Sequence, residues 1–142
     1  MDSNNPKRTI NGGIKMGYYS QVKILTELKN VKLIDICMNL EPTSVKEGKV
    51  RTFIRETEEF VMTDVILFDW EWQKWYKEYE EIAELYEEIY RIIELEKDEE
   101  EHSFGHIRMG EDETDLEYLG SPNDWGLWVE RSIGEPNMEE LK

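Results

Sequence analysis

One cysteine, Cys37, is all the chain contains, so neither an intrachain disulfide nor a cysteine-rich zinc site can form, and a reducing compartment is expected. No apolar run approaches the ~18 residues of a membrane span, and residues 1–15 lack the apolar centre of a signal peptide. The chain is therefore expected to be soluble and cytoplasmic, with no membrane contact. Glycine-rich nucleotide motifs and a nucleophile elbow are missing, which removes dinucleotide, P-loop and serine-hydrolase chemistry. Positive charge is scarce beyond Arg55, where 28 acids face seven Lys or Arg residues. A domain so negative would repel a polyanion, so direct nucleic-acid binding and nuclease activity are not expected.

What is present is acid, and it is unevenly placed. The 142 residues carry a formal net charge of −16, beyond the magnitude of about 2–8 that solubility asks of a small domain. Up to Arg55 five acids meet ten bases, a net of +5, so all of the excess lies in the remaining 87 residues. From Glu78 to Glu101 twelve acids meet only Arg91 and Lys97. As a helix, that segment would carry one net charge per ~3.6 Å, close to the ~3.4 Å spacing along one strand of B-DNA.

Hydrophobic periodicity gives the expected architecture. Residues 1–15 read as a flexible leader, 16–133 as one α+β domain, and 134–142 as a polar, frayed tail. Val22, Ile24, Thr26 and Leu28 alternate as a half-buried strand. VKLIDICMNL (31–40) alternates too and suggests a second strand, although Val31, Ile34 and Met38 also fit a short helix. KVRTFIRE and FVMTDVILFDW give two further strands, SFGHIRMG and DLEYLG another two, and WGLWVERSI a last one. The segment from Trp70 to Glu101 contains neither Pro nor Gly and is rich in helix formers. It predicts one long acidic amphipathic helix on a mainly antiparallel sheet. Trp75, Tyr79, Ile82, Tyr86, Ile89 and Ile93 would form its buried stripe, with Glu80, Glu84, Glu87, Glu94, Asp98 and Glu101 opposite. Lys74–Glu78, Lys77–Glu81 and Glu87–Arg91 would pair at i,i+4.

Several constellations could carry chemistry. His102 and His106 stand four apart, but in a strand that spacing separates them by ~13 Å, and no third ligand is suitably spaced for zinc. GEDETDLEYLG has acids at 111, 113, 115 and 117, yet Leu116 occupies the place where a calcium loop turns on Gly, and Pro122 the place of its bidentate Glu. Asp64, Asp69 and Glu71 ahead of Lys74 fail the acid-x-Lys spacing of metal-dependent nucleases. Neither metal nor cofactor is expected. A metal enzyme built on Asp69, Glu71, His102 and His106 is a distant alternative. The aromatics Trp70, Trp72, Trp75, Tyr76 and Tyr79 crowd one junction; Trp75 and Tyr79 read as core, while Trp70 and Trp72 could be core or exposed anchors.

Three short motifs carry a resemblance. Met16-Gly17-Tyr18-Tyr19, Trp70-Glu71-Trp72-Gln73-Lys74-Trp75-Tyr76 and Ile107-Arg108-Met109-Gly110-Glu111-Asp112-Glu113-Thr114-Asp115 resemble segments of small acidic proteins of bacteriophages and mobile elements. The similarity runs from residue 16 to residue 133. It implies a mobile-element origin, where small acidic proteins of the anti-CRISPR and anti-restriction type block host defence enzymes, and it transfers no catalytic residue.

The function expected from these readings is that of a non-enzymatic inhibitor of a bacterial defence nuclease, a CRISPR effector foremost, acting by acidic nucleic-acid mimicry in a basic groove. Its partner would be a basic nucleic-acid-binding protein of the host. The residues expected to bind it are Glu80, Glu84, Glu87, Glu88, Glu94, Asp98, Glu101, Glu111, Asp112, Glu113, Asp115 and Trp72. The alternative is a protein–protein module of immunity or antitoxin type, docking through the Trp70–Tyr79 aromatics, with a homodimer through the helix stripe as a variant.

Overall fold

The computed structural model describes residues 17–112, 114–129 and 132–140. The expected leader, residues 1–15, lies outside these residues, as do Met16 and Glu113. The elements are β1 (Tyr19–Glu27), α1 (Val31–Asn39), β2 (Ser44–Ile54), β3 (Glu59–Lys74), α2 (Glu80–Leu95), β4 (Phe104–Gly110) and β5 (Leu116–Gly120). A 3-10 turn (Asn123–Trp125) follows, then the short strands β6 (Trp128–Val129), β7 (Ile133–Gly134) and β8 (Glu139–Glu140). Six strands form one antiparallel sheet in the order β5-β4-β1-β3-β2-β8, and β6 pairs with β7 alone.

Alternation along β1 sends Val22 and Ile24 to one face and Lys23 and Leu25 to the other, so the sheet has two buried sides. On the first side α1 and α2 cover Val22, Ile24, Ile66, Phe68, Trp70 and Phe104. On the second, the chain after β5 folds back so that Trp125, Leu127 and Ile133 cover Leu25, Val65, Leu67 and Ile107.

The expectation of one long helix from Trp70 to Glu101 is corrected: there are two helices, and the acidic one has 16 residues. Residues Trp70–Lys74 instead extend β3, because their backbone pairs with Tyr19–Val22 of β1 and Trp70 is fully buried there. Pairing and burial override the helix propensity of the segment. The segment 31–40, read first as a strand, is α1, with Leu33, Ile36 and Cys37 buried at helical spacing. Asn30 at its start does not cap it. The side chain ties the helix to the sheet by donating to Thr26 Oγ1 at 2.9 Å and Ser103 Oγ at 2.8 Å.

The last expected strand, 125–133, is broken. Gly126 takes φ +84°, a conformation open to glycine, and the chain turns into the β6–β7 hairpin. Beyond it, Gly134 to Glu140 are held rather than frayed: Glu135 binds Lys23 at 2.5 Å, and Glu139 and Glu140 pair with Lys49 and Gly48 of β2. No helix among the described residues is long and apolar enough to cross a membrane.

Candidate functional site

The acidic helix α2 buries Ile82, Leu85, Tyr86, Ile89 and Ile92, a stripe spaced 3, 1, 3 and 3 that marks one helical face. Relative to the expected stripe it is rotated. Ile93 is only half-buried, Trp75 is buried in the loop before the helix, and Tyr79 is 42% exposed. The rotation carries Glu88 inward to 3% exposure, so its place among the partner-binding acids is corrected. Arg91 grips its carboxylate from Nε at 2.9 Å and from a terminal nitrogen at 2.5 Å, and Lys32 of α1 stands 3.8 Å away. The Arg91 bonds hold the Glu88 carboxyl below its usual range.

The other acids of α2 face solvent. Glu80, Glu81, Glu84, Glu87 and Glu94 are all exposed, and among the described residues only Glu94 of these has an ion-pair partner, Lys97 at 3.1 Å. The expected i,i+4 pairs do not form. Lys74 lies in β3, Lys77 reaches Glu117 at 2.8 Å, and Arg91 turns to Glu88. Setting aside the Glu88–Arg91 pair leaves five acids on a helix of roughly 24 Å, about one per 5 Å. This is sparser than the ~3.4 Å of one DNA strand.

Past Leu95 the negative charge continues where the helix least favours it. The last turn contains no base, and the carbonyl end of a helix carries about half a negative charge, so acids there cost ~0.3–1 kcal/mol each. Yet Glu94, Glu96, Asp98, Glu99, Glu100 and Glu101 all gather at or just beyond it. Glu96 has a structural task, accepting from Ser103 N at 2.9 Å, and Glu100 pairs with Arg55. Asp98, Glu99 and Glu101 are exposed with no ion pair or hydrogen bond from their carboxylates among the described residues.

The bend after β4 differs from this. Glu111 accepts from Tyr19 N at 2.6 Å, Asp112 accepts from Thr114 N at 2.9 Å and from its hydroxyl at 2.7 Å, and Asp115 is forked by Arg108 at 2.7 and 3.1 Å. Hydrogen bonds from Arg108 hold Asp115 below the usual carboxylate range, and those from Thr114 do the same for Asp112. Arg108 compensates the charge of Asp115, while Glu111 and Asp112, bonded among the described residues only by neutral donors, stay exposed and charged. Tyr18 joins them, donating to Asp115 Oδ2 at 2.8 Å and accepting from Asp112 N at 3.0 Å, while its own N–H donates to Tyr76 Oη at 2.7 Å. The described residues of the three motifs, 17–19, 70–76, 107–112 and 114–115, thus meet at one end of the sheet. Gly110 permits the junction, because a Cβ there would lie 2.4 Å from both Tyr18 Oη and Asp115 Oδ2.

Comparisons were made with protein-family models, curated proteins and solved structures. The chain matches none of them.

The two tryptophans separate. Trp70 is buried and donates from Nε1 to Leu40 O at 3.0 Å. Trp72 is 46% exposed and has φ +51°, a left-handed conformation that costs a residue with a Cβ roughly 1–2 kcal/mol. It sits in a β-bulge, where the β1–β3 register steps from Val22↔Trp70 to Ser20↔Gln73.

A charged network that the sequence reading missed lies between α2, β4 and β5. Glu117 Oε1 accepts from Tyr86 Oη at 2.5 Å and from His106 Nε2 at 3.0 Å, and Oε2 pairs with Lys77. Burial pushes the Glu117 carboxyl up, but the bonds from His106, Lys77 and Tyr86 outweigh it and hold it well below its ordinary range. Burial lowers the His106 imidazole against the opposing pull of Glu117. Arg108 and Glu117 face each other across β4 and β5, a pair of opposite charges on neighbouring strands, but no signal in the sequence marks that register.

Asp69, Glu71, His102 and His106 do not converge. Asp69 pairs in register with Lys23, which itself faces Ile107, so Asp69 and His106 point to opposite sides of the sheet. His102 lies in the loop before β4, with Ser121 Oγ 3.4 Å from Nδ1. Among the described residues no three His, Cys, Asp or Glu side chains are grouped to hold a metal.

Proposed function

We propose that this chain is a non-enzymatic inhibitor that lays the exposed face of α2 and the acids following it into the basic, nucleic-acid-binding groove of a partner protein. The observation that carries the reading is the set of unpaired carboxylates at Asp98, Glu99 and Glu101, kept beside the negative end of α2 where folding gains nothing from them. With Glu80, Glu84, Glu87 and Glu94 they extend one negative surface, which suits Lys and Arg side chains that ordinarily grip phosphates and speeds the encounter electrostatically. The motif resemblance to mobile-element proteins points to a bacterial defence nuclease as that partner, a CRISPR effector foremost. Glu88 drops out of the binding set because it is buried and Asp115 because Arg108 neutralises it, while Glu111 and Asp112 stay exposed and charged at the bend after β4.

Capture of the partner from a bacterial host lysate, at low and at high salt, tests this. Each exposed charge contributes ~0.2–1 kcal/mol, so Glu80→Gln, Glu84→Gln, Glu87→Gln, Asp98→Asn and Glu101→Asn are mild singly and severe together. Binding weakens between ~50 and ~200 mM salt as screening sets in, and DNA or guide RNA competes with the chain. Salt-insensitive capture without nucleic-acid competition refutes the mimicry.

The strained, exposed Trp72 favours a second reading, a module that docks by this indole. Residues held in costly backbone conformations gather at functional sites, and Trp is enriched in interface hot spots. Under that reading Trp72→Ala abolishes capture and the fivefold acidic variant binds normally.

A further inference from the structure

The β2–β3 hairpin outgrows its sheet. Pairing of β1 with β3 stops at Glu27↔Val65, and β8 covers only Gly48 and Lys49 of β2. Among the described residues, Val50–Ile54 and Glu59–Asp64 therefore form a two-stranded arm with no strand on either outer edge. Isolated two-stranded ribbons are marginal in water, and open edges are templates for another strand. The arm is also apolar: Phe53, Ile54, Phe60, Val61 and Met62 are all exposed, with Phe60 at 56%. Phe53 and Phe60 pack as tilted rings across the strands with centroids 5.0 Å apart, and the Arg51 guanidinium lies 4.0 Å over the Phe60 ring.

A groove of about 580 Å³ opens beside this arm where β1 ends, within the ~300–1,000 Å³ of ligand sites. Arg51, Phe53 and Phe60 line one side, and Glu96, Glu99 and Glu101 the other. Arg55 and Glu100 pair across it. The lining holds seven acids and three Lys or Arg residues, so a cationic occupant is favoured. A second copy is disfavoured, since each copy carries a net −16.

We propose that this groove receives an extended peptide segment of a basic partner, added as a strand to the open edge of β3 between Glu59 and Asp64. Main-chain hydrogen bonds would supply affinity, as in other strand additions, the aromatic wall would take alternate aliphatic side chains, and the glutamate wall would take lysines or arginines between them. The proposal adds a second contact to the basic partner inferred above and rests on that reading for the partner's charge.

The test is fluorescence anisotropy with a labelled octapeptide of alternating lysine and valine. The same peptide N-methylated at every residue keeps the charge but cannot pair with a strand. The unaltered chain is expected to bind the first saturably and the second at least about tenfold more weakly. Phe60→Thr and the pair Glu99→Lys with Glu101→Lys weaken binding similarly, while the triple change Glu80→Gln, Glu84→Gln, Glu87→Gln leaves it unchanged even if that variant loses the protein partner. No saturable binding, equal binding of the N-methylated peptide, or sedimentation showing the arm occupied by a second copy would overturn the proposal. The N-methyl comparison uses unaltered protein, so a variant that fails to fold leaves the test decisive.

Discussion

Replacing Glu117 by alanine removes the single acceptor shared by two buried donors, the Tyr86 hydroxyl and His106 Nε2–H. His106 is fully buried and Tyr86 nearly so. A buried donor left unpaired costs ~1–3 kcal/mol, so two cost about 2–6 kcal/mol. The Glu117 side chain is itself 16% exposed, so water can reach part of the vacated space and the expected loss falls to about 2–4 kcal/mol. Glutamine at the same position keeps a carbonyl oxygen for both donors and gives up the ion pairs with the half-exposed Lys77 and, at 3.6 Å, with Arg108, which keeps Asp115, a loss of about 1 kcal/mol. Urea denaturation followed by circular dichroism reads both, with the midpoint shifting at constant slope. Tyr86→Phe combined with Glu117→Ala should cost less than the two changes added, because one orphaned donor disappears with the hydroxyl. If Glu117→Ala costs under about 1 kcal/mol, or Glu117→Gln costs as much as Glu117→Ala, the shared-acceptor account is wrong.

Three further outcomes are expected. Burial places the folded-state pKa of His106 below its ordinary 6.5, so the unfolded chain takes up the proton first and stability falls as pH drops through about 6.5; urea midpoints across that range show the slope, and His106→Gln flattens it. Glu117, whose folded-state pKa is depressed below 4.5, adds its own loss only at lower pH, which separates the two groups. Trp72→Gly relieves a left-handed φ at the cost of glycine's entropy, so stability changes by no more than about 1 kcal/mol either way; a larger loss on urea titration makes Trp72 a packing residue and removes the docking alternative. Glu88→Gln lowers the thermal midpoint while its sequence neighbour Glu87→Gln leaves stability within about 0.5 kcal/mol, and equal effects would contradict the helix phase described here.

Val22–Thr26 was legible through its alternation, and Val65–Phe68 as a short apolar run rich in strand formers. The Trp70–Lys74 segment was not, since its helix-forming composition is overruled by pairing to Tyr19–Val22, which a local pattern does not contain. The bulge at Trp72 explains why two tryptophans two residues apart could not be assigned from spacing: one inserted residue resets the inward–outward alternation. For α2 the acidic face was readable, but Leu85 and Ile92 widen and turn the buried stripe, and only a tertiary neighbour such as Lys32 marks Glu88 as inward. The Glu117 network joins residues up to 40 positions apart through strand register and the packing of α2 on the sheet, so local motifs could not disclose it.

Lys23 has a consequence for the order in which the molecule is made. Its ammonium group is sealed into the second side of the sheet and meets its counter-ion, Glu135, 112 residues later. On the ribosome, β1, β3 and β4 can all emerge and align while that lysine has only its cross-strand neighbour Asp69 and not yet its ion-pair partner, and β2 stays open at Gly48 and Lys49 until Glu139 and Glu140 arrive. Residues 135–140, made after β1 to β5, therefore close the sheet, and a pause in translation before them would leave a nearly finished sheet with a bare strand edge and a buried lysine without its ion pair.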